Sequence, residues 1–410
     1  MFDAETTEQQ DLREGAPPWS AGAVPALPAL KDSLSCDVAV IGAGISGAFI
    51  AEHLASLGQR VVVVDRERPG FGSTVASTAM LLWEIDRRLV ELADLYGFER
   101  AATLYRRSHA AVAGLAGLVR ERGIACGLRA RTSLYLAAQD IGAAQLRAEH
   151  AARQRAGLPG TYLDAATLFS TFGIAREGAI LSGDSADADP LLLAHGLLAA
   201  AAAHGARIFA GEAVAYESHR SGARIGLVDG HEIEAKAVVL ATGYVMPDIV
   251  RSDLQSTGAS WALATPPQPP GGVWPGEPLV WEACETYLYA RSTVGGRIVI
   301  GGEDEDGHAD REQRLALAPD KVRALLDGLA GLRPEALARA ELVWSGAFSR
   351  TSDGLPLIGE VPDNPHIYAA YGYGGNGITF SFLASRLLAR MIAGEREAWY
   401  ADVALDRPAP

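Results

Sequence analysis

Residues 36–65 read CDVAVIGAGISGAFIAEHLASLGQRVVVVD, and the reading of this stretch decides the fold. Val38 to Ile41 is a short, nearly all-apolar run, as expected of a strand buried on both faces. Gly42, Gly44 and Gly47 follow at G-x-G-x-x-G spacing. The first glycine permits a tight turn, the second lets backbone approach a pyrophosphate, and the third lets the next helix pack against the strand. The pattern predicts that helix over residues 45–57, with first-turn N–H groups, those of Ile45 and Ser46 among them, aimed at phosphate. A second apolar strand, Val61 to Val64, ends in Asp65 and Arg66, and an acid at that position accepts hydrogen bonds from an adenosine ribose. Strand, glycine turn, helix, strand and acid together define a dinucleotide site rather than a glycine-rich turn.

The bulk properties bound what such a site serves. The chain has 410 residues, 49% hydrophobic and 21% charged, which suffices for two domains or one large one. A net charge of −14 with no basic run argues against nucleic acid or an anionic membrane surface as partner. Cys36, Cys126 and Cys284 are scattered, so neither a disulfide framework nor a zinc site is expected. The N-terminus has no basic and apolar leader, and no apolar run is long enough to span a bilayer; the expected location is the cytoplasm.

Outward from the glycine motif, residues 1–35 read as an extended Pro/Ala-rich arm that Trp19 pins to the body. Ser73, Thr74, Ser77 and Thr78, with Ala79 adjoining, follow the Gly70/Gly72 turn; these hydroxyls read either as a helix N-cap or as donors to the same dinucleotide. Helices are expected over 86–95, 99–122, 141–156, 187–205 and 320–329, the fourth capped by Asp189 with Pro190 in its first turn. Strands are expected near 134–138, 207–209, 213–217, 224–228 and 238–240, the last running into the small-residue turn Ala241-Thr242-Gly243. Six prolines between 266 and 278 mark a loop, and Thr286–Ser292 with Arg297–Gly301 suggests an antiparallel pair. Leu342–Gly346 and Ile367–Ala370 return as strands, before YGYGGNGIT at 371–379 and a last helix stopped by Gly394. Glu303-Asp304-Glu305-Asp306, with His308 and Asp310, lacks cation-loop spacing and reads as a solvated acidic turn, so no metal is expected. His53 and His109 sit in helical patterns and read as structural. No G-x-S-x-G, H-E-x-x-H or G-K-[ST] supports a hydrolase, zinc protease or P-loop.

In this order the motifs resemble the flavoprotein family of D-amino acid oxidase, glycine oxidase, sarcosine oxidase and D-amino acid dehydrogenase. The resemblance rests on DVAVIGAGISG with Asp65, GSTVASTAML, ATG at 241–243, DGLPLIG at 353–359 and GYGGNGIT at 372–379, and spans residues 37–394. It implies an α/β fold: a discontinuous, Rossmann-like FAD-binding domain of the glutathione-reductase type, from 36–131, 184–245 and 341–398. An α+β substrate domain with an antiparallel sheet would come from 132–183 and 246–340. It further implies that Gly42, Gly44 and Gly47 hold the FAD pyrophosphate, that Asp65 holds the ribose, and that the 73–79 hydroxyls meet the pyrophosphate and ribityl chain. Val214 would meet the adenine through its backbone, and Thr242 and Gly243 would pack on the cofactor. Gly374, Gly375, Asn376, Gly377, Ile378 and Thr379 would line the isoalloxazine, with a helix N-terminus stabilising the reduced ring.

Departures from the family pattern bear on substrate. Members that oxidise free amino acids carry an Arg in W-x-G-L-R-P that grips the carboxylate. Here the stretch is Trp344-Ser345-Gly346-Ala347-Phe348-Ser349, with Phe348 at the Arg position and Arg350 two residues on. That favours the branch that includes gamma-glutamylputrescine oxidase. Ala76 stands where some relatives attach flavin through His, and no Cys lies between 341 and 360, so FAD is expected to be noncovalent. The expected reaction is hydride transfer from the carbon bearing an amine to flavin N5, giving an imine that hydrolyses. Phe348, Tyr289 and Tyr373 are the expected pocket residues, with Trp83, Tyr287, Tyr371, Arg291 and Arg350 as further substrate contacts. The substrate would be a small amine or amino acid, and the acceptor either O2 or a quinone or carrier protein. A non-catalytic flavin-binding subunit and an NAD-dependent enzyme are the remaining alternatives.

Overall fold

The computed structural model describes residues 13–19, 26–250, 252–284, 286–307 and 310–409. Residues 1–12 and 20–25 of the expected arm, and His308, lie outside the described residues.

Two sheets carry the chain. Among the described residues the smaller has eight strands. Its parallel part runs Ile367–Tyr371, Glu232–Leu240, Leu34–Ile41, Val61–Asp65 and Arg207–Ala210. Leu357–Glu360 adds an antiparallel edge, and the hairpin of Ala213–His219 and Gly222–Leu227 extends from Glu232–Leu240. The valine-rich strands read as continuous apolar runs because both faces are covered. Val38, Val40, Val61 and Val63 pack into one core with the helices Ile45–Ser56, Pro190–Ala203 and Gly377–Ile392. Ala39, Ile41, Val62 and Val64 pack into the other with Ile225, Ile233 and Leu357. Leu34–Ile41 lies in the middle, so chain order switches direction at its C-terminal end. The crevice at such a switch point is where an open α/β sheet binds its ligand.

Helix boundaries follow local chemistry. Asp189 accepts from Leu191 and Leu192 N–H, both at 2.9 Å, and Pro190 opens the helix that ends at Ala203. The long helix is Phe98–Glu121, and the expected 86–95 helix starts later, at Leu89, where the buried Glu149 carboxylate accepts from Leu89 and Val90 N–H.

The larger sheet has ten strands among the described residues and is antiparallel except where Leu279–Glu282 meets Arg129–Leu136. Leu342–Thr351 lies in this sheet, between Arg13–Gly15 and Gln255–Ala264, and not with the dinucleotide strands with which the sequence grouped it. The helix Arg311–Leu332 covers one face, burying Trp261, Leu263, Ile298 and Ile300 against Leu325, Leu329 and Leu332. It begins at Arg311 rather than Asp320 and runs through Pro319, a residue that ordinarily breaks a helix interior. The expected acidic turn is likewise corrected: Glu303–Asp306 continues the strand Ile298–Asp306 through a bulge at Glu303, φ +59°, which interrupts the alternation of faces. Trp19 does pin the arm, its indole N–H donating to the Ser77 carbonyl at 2.8 Å. Among the described residues no helix is long and apolar enough to cross a membrane, and no cluster of His, Cys, Asp or Glu could hold a metal.

Candidate cofactor and substrate site

The glycine turn is packed so tightly that only glycine fits. Gly42 has φ +106°, and a Cβ there would lie 2.3 Å from the Ala241 carbonyl oxygen. A Cβ on Gly47 would lie 1.9 Å from the Gly42 carbonyl oxygen. The turn is tied to both neighbouring strands, with Gly42 N–H donating to Val64 at 2.8 Å and Ala241 N–H donating to Ile41 at 2.8 Å. Gly47 therefore acts by packing and does not line the cavity; Gly42, Gly44, Ile45 and Ser46 do. Asp65 closes the end of its strand and accepts from Ala43 N–H at 2.5 Å and from Glu67 N–H at 2.8 Å. Burial pushes its carboxyl up to about 6.

A long cavity starts here and runs into the interface of the two sheets. Ser73, Thr74, Ser77, Thr78 and Ala79 line it, as do Gly243 and the loop Gly374–Gly375–Asn376–Gly377–Ile378. Thr74 Oγ1 accepts from Ile45 N–H at 2.9 Å, which ties the hydroxyl segment to the helix N-terminus. The indoles of Trp19 and Trp344 clamp that segment, the second by donating to Ala76 O at 2.9 Å. Ala79 is held at φ +52°, a strained backbone for a non-glycine residue and of the kind that gathers at functional sites. A smaller adjoining cavity shares Gly42 and Asp65 and is lined by Arg66, Ala213, Tyr216 and Thr242. The two spaces form one elongated path past Asp65, with hydroxyls and helix N–H groups midway. Those donors fit the diphosphate of a dinucleotide.

The far end of the cavity is aromatic. Trp281, Tyr287, Tyr289, Phe348, Tyr371 and Tyr373 line it. Tyr287 and Tyr289 lie with ring centroids 5.7 Å apart. Tyr289 lies over Gly301, its register partner, where a Cβ would come within 2.5 Å of the phenol oxygen, so Gly301 makes room for the ring. Two carboxylates that sequence reasoning missed share this end. Asp86 faces the lumen, accepts from Gly375 N–H at 2.7 Å and receives Asn376 Nδ2 at 3.3 Å; enclosure by protein pushes it up to about 6. Asp304 also lines the lumen and is pushed up to about 6 by burial, and its Oδ1 is buried without a hydrogen-bond partner. Strand alternation from Ile298 and Ile300 would set Asp304 on the helix-covered face; the bulge at Glu303, with φ +59°, turns it to the lumen, so its sequence carried no signal. Asp86 had none either, because it lies in a loop whose place is set by the distant 374–376 turn.

Several expected residues lie elsewhere. Trp83 is fully buried in the helical core and donates to Gly183 O at 2.8 Å. Arg291 is buried in an ion pair with Asp187 at 3.1 Å, with Trp19 stacked 4.7 Å from its guanidinium, and is not a substrate anchor. Arg350 shares a strand face with Phe348 but pairs with Asp306 outside the cavity. Thr379 donates to Leu82 O at 2.8 Å and fixes the loop rather than lining it. Val214 is exposed, and its neighbour Ala213 lines the adjoining space. Among the described residues lining the main cavity, Arg68 is the only basic one, and there is no His or Cys to bond a flavin.

The fold and this site are those of a flavin-dependent oxidoreductase, and the chain belongs to the FAD dependent oxidoreductase family, whose model matches residues 37–391. It is similar to gamma-glutamylputrescine oxidoreductase of Escherichia coli (strain K12), 28% identical over 377 residues that cover 90% of this chain and 86% of the relative. It is also similar to the crystal structure of glycine oxidase from Geobacillus kaustophilus, with a TM-score of 0.76, 26% identity, and 92% and 100% of the two chains covered. Iminodiacetate oxidase from Chelativorans sp. BNC1 superposes with a TM-score of 0.70 at 25% identity, over 91% of this chain and 98% of that one. The protein is thus an FAD-dependent enzyme acting on amines or amino acids, with its cofactor held noncovalently.

Proposed function

We propose that this enzyme oxidises the C–N bond of an amine that carries no α-carboxylate. The observation that supports this is Phe348, which stands in the cavity at the position of the family's carboxylate-gripping Arg, with no basic residue among the described ones at the aromatic end. A carboxylate placed there would meet Asp86 and Asp304, and among the described residues no cation lines that end to receive it. FAD, when bound, supplies the two-electron acceptor for the hydride leaving the amine carbon. The aromatic wall excludes water from the reacting amine, and only the neutral form of that amine can release hydride. Asp86 is the ionisable group placed to take the proton that the ammonium form loses, at the lumen side of its carboxylate. The resulting iminium adds water and releases the amine nitrogen. Anaerobic loss of visible flavin absorbance on adding primary and secondary amines tests the reading. Bleaching by amino acids alone would overturn it. Hydrogen peroxide formed on aerobic turnover separates O2 from a quinone or carrier protein as acceptor.

A further inference from the structure

The aromatic end of the cavity holds more negative charge than one amine requires. Asp86 is already engaged, by Gly375 N–H and Asn376 Nδ2. Asp304 lies on the strand Ile298–Asp306, hydrogen-bonded by Ser260, whose hydroxyl is 3.2 Å from that of Tyr289. Its Oδ1 is buried with no hydrogen-bond partner, an arrangement that costs free energy unless something else satisfies it. The cations that face it are committed: Lys321 pairs with Glu305 at 2.6 Å and Glu303 at 3.7 Å, and Arg350 pairs with Asp306. Acid outnumbers base around the lumen, and the rings of Trp281, Tyr287, Tyr289 and Phe348 line the same end, the residue types of cages that bind ammonium groups.

We propose that Asp304 is the specificity-determining residue for a second, non-reacting ammonium group, so that the substrate class is a diamine or polyamine chain. This rests on the reading that the cavity oxidises amines. One cationic nitrogen is presented beside Asp86 for oxidation, and the other is held by Asp304 through an ion pair in a water-poor cage. A neutral chain end leaves Asp304 Oδ1 without a partner, and an anionic end is repelled by both carboxylates.

The test is a set of chains of similar length that differ in terminal charge, compared with the flavin-loaded enzyme under anaerobic conditions: putrescine, butylamine and γ-aminobutyrate. Flavin reduction at low substrate concentration is expected to be about tenfold faster with putrescine than with butylamine, and about a hundredfold faster than with γ-aminobutyrate. Asp304→Asn is expected to lower the putrescine-to-butylamine ratio about tenfold, and Asp304→Glu to restore most of it. Flavin content of each variant is measured in parallel, and the wild-type series decides the question if a variant loses cofactor. Equal reduction by putrescine and butylamine, or preference for γ-aminobutyrate, overturns the second-ammonium site while leaving amine oxidation standing. Absence of reduction by every amine overturns both.

Discussion

Replacing Gly47 by alanine adds one methyl group where the structure has no room. Its Cβ would lie 1.9 Å from the Gly42 carbonyl oxygen, 2.9 Å from the Gly42 carbonyl carbon and 3.4 Å from Val40 Cγ1. Side-chain rotation cannot relieve the clash, because the nearest atoms are backbone. Gly42 cannot retreat either: its N–H is bonded to Val64 O, and its Cα faces Ala241 O. The helix Ile45–Ser56 must therefore shift off the strand, which breaks the approach of Ile45 and Ser46 to the phosphates. Overpacking of this kind costs about 1–3 kcal/mol, and the rigid neighbours place it at the upper end. For 410 residues at roughly 2.1 cal/mol/K each, about 3 kcal/mol lowers Tm by about 3 °C before any effect of lost cofactor. Cofactor loss adds to this, since bound ligand stabilises by mass action. The control is Gly117→Ala in the helix Phe98–Glu121, where the new Cβ meets nothing within 4 Å and helix propensity favours alanine by about 0.5–1 kcal/mol. Thermal melts with flavin-to-protein absorbance ratios measure both effects. Gly47→Ala purifying with full flavin and unchanged Tm would refute the reasoning.

Phe348→Arg places a cation in the aromatic end; flavin reduction by amines is expected to slow at least about tenfold, and reduction by neutral amino acids to rise. Stopped-flow flavin absorbance checks both directions. Asp353 is fully buried, with Arg407 Nε and Nη2 donating to its two oxygens at 2.8 Å each, and Tyr96 and Leu355 N–H donating as well. Burial alone would raise its carboxyl, but the Arg407 hydrogen bonds prevail and hold it below the ordinary 3.8. With the folded value depressed, its stabilisation is present above the unfolded value and is lost as pH falls through the folded one. Asp353→Ala should cost about 3–5 kcal/mol at neutral pH by leaving Arg407 without its buried partner, and the difference from wild type should begin to shrink only as pH falls below about 4. Asp304 is pushed up to about 6, so protonation below that pH removes the charge that holds a cationic chain end; KM for putrescine is expected to rise about tenfold per unit below about pH 5, checked by steady-state kinetics across pH.

The dinucleotide half of the molecule was legible because each of its constraints is local. The turn at Gly42–Gly47, the apolar strands around it and the Asp189–Pro190 cap all follow from neighbours within a few residues. The strand Gln255–Ala264 escaped notice although it pairs along its whole length with Leu342–Thr351, because QSTGASWALA is rich in small residues whose burial is decided by distant partners. Site residues divide the same way. Tyr289 and Phe348 sit on strands whose alternation points them inward, Tyr287 lies just before the first of these, and all three reach the cavity. Arg291 and Trp83 looked available, yet both serve the packing of neighbouring elements: one neutralises Asp187 and the other fills the helical core. Asp86 became a site residue only when the 374–376 loop folded over it.

The most direct test of an amine site without a carboxylate clamp is the rate of anaerobic flavin reduction by a matched pair, butylamine and norvaline, which differ only by the α-carboxylate. Butylamine is expected to reduce the flavin at least about tenfold faster at equal low concentration than either enantiomer of norvaline. Faster reduction by D- or L-norvaline would contradict it, because the cavity would then have to bind a carboxylate beside Phe348, Asp86 and Asp304.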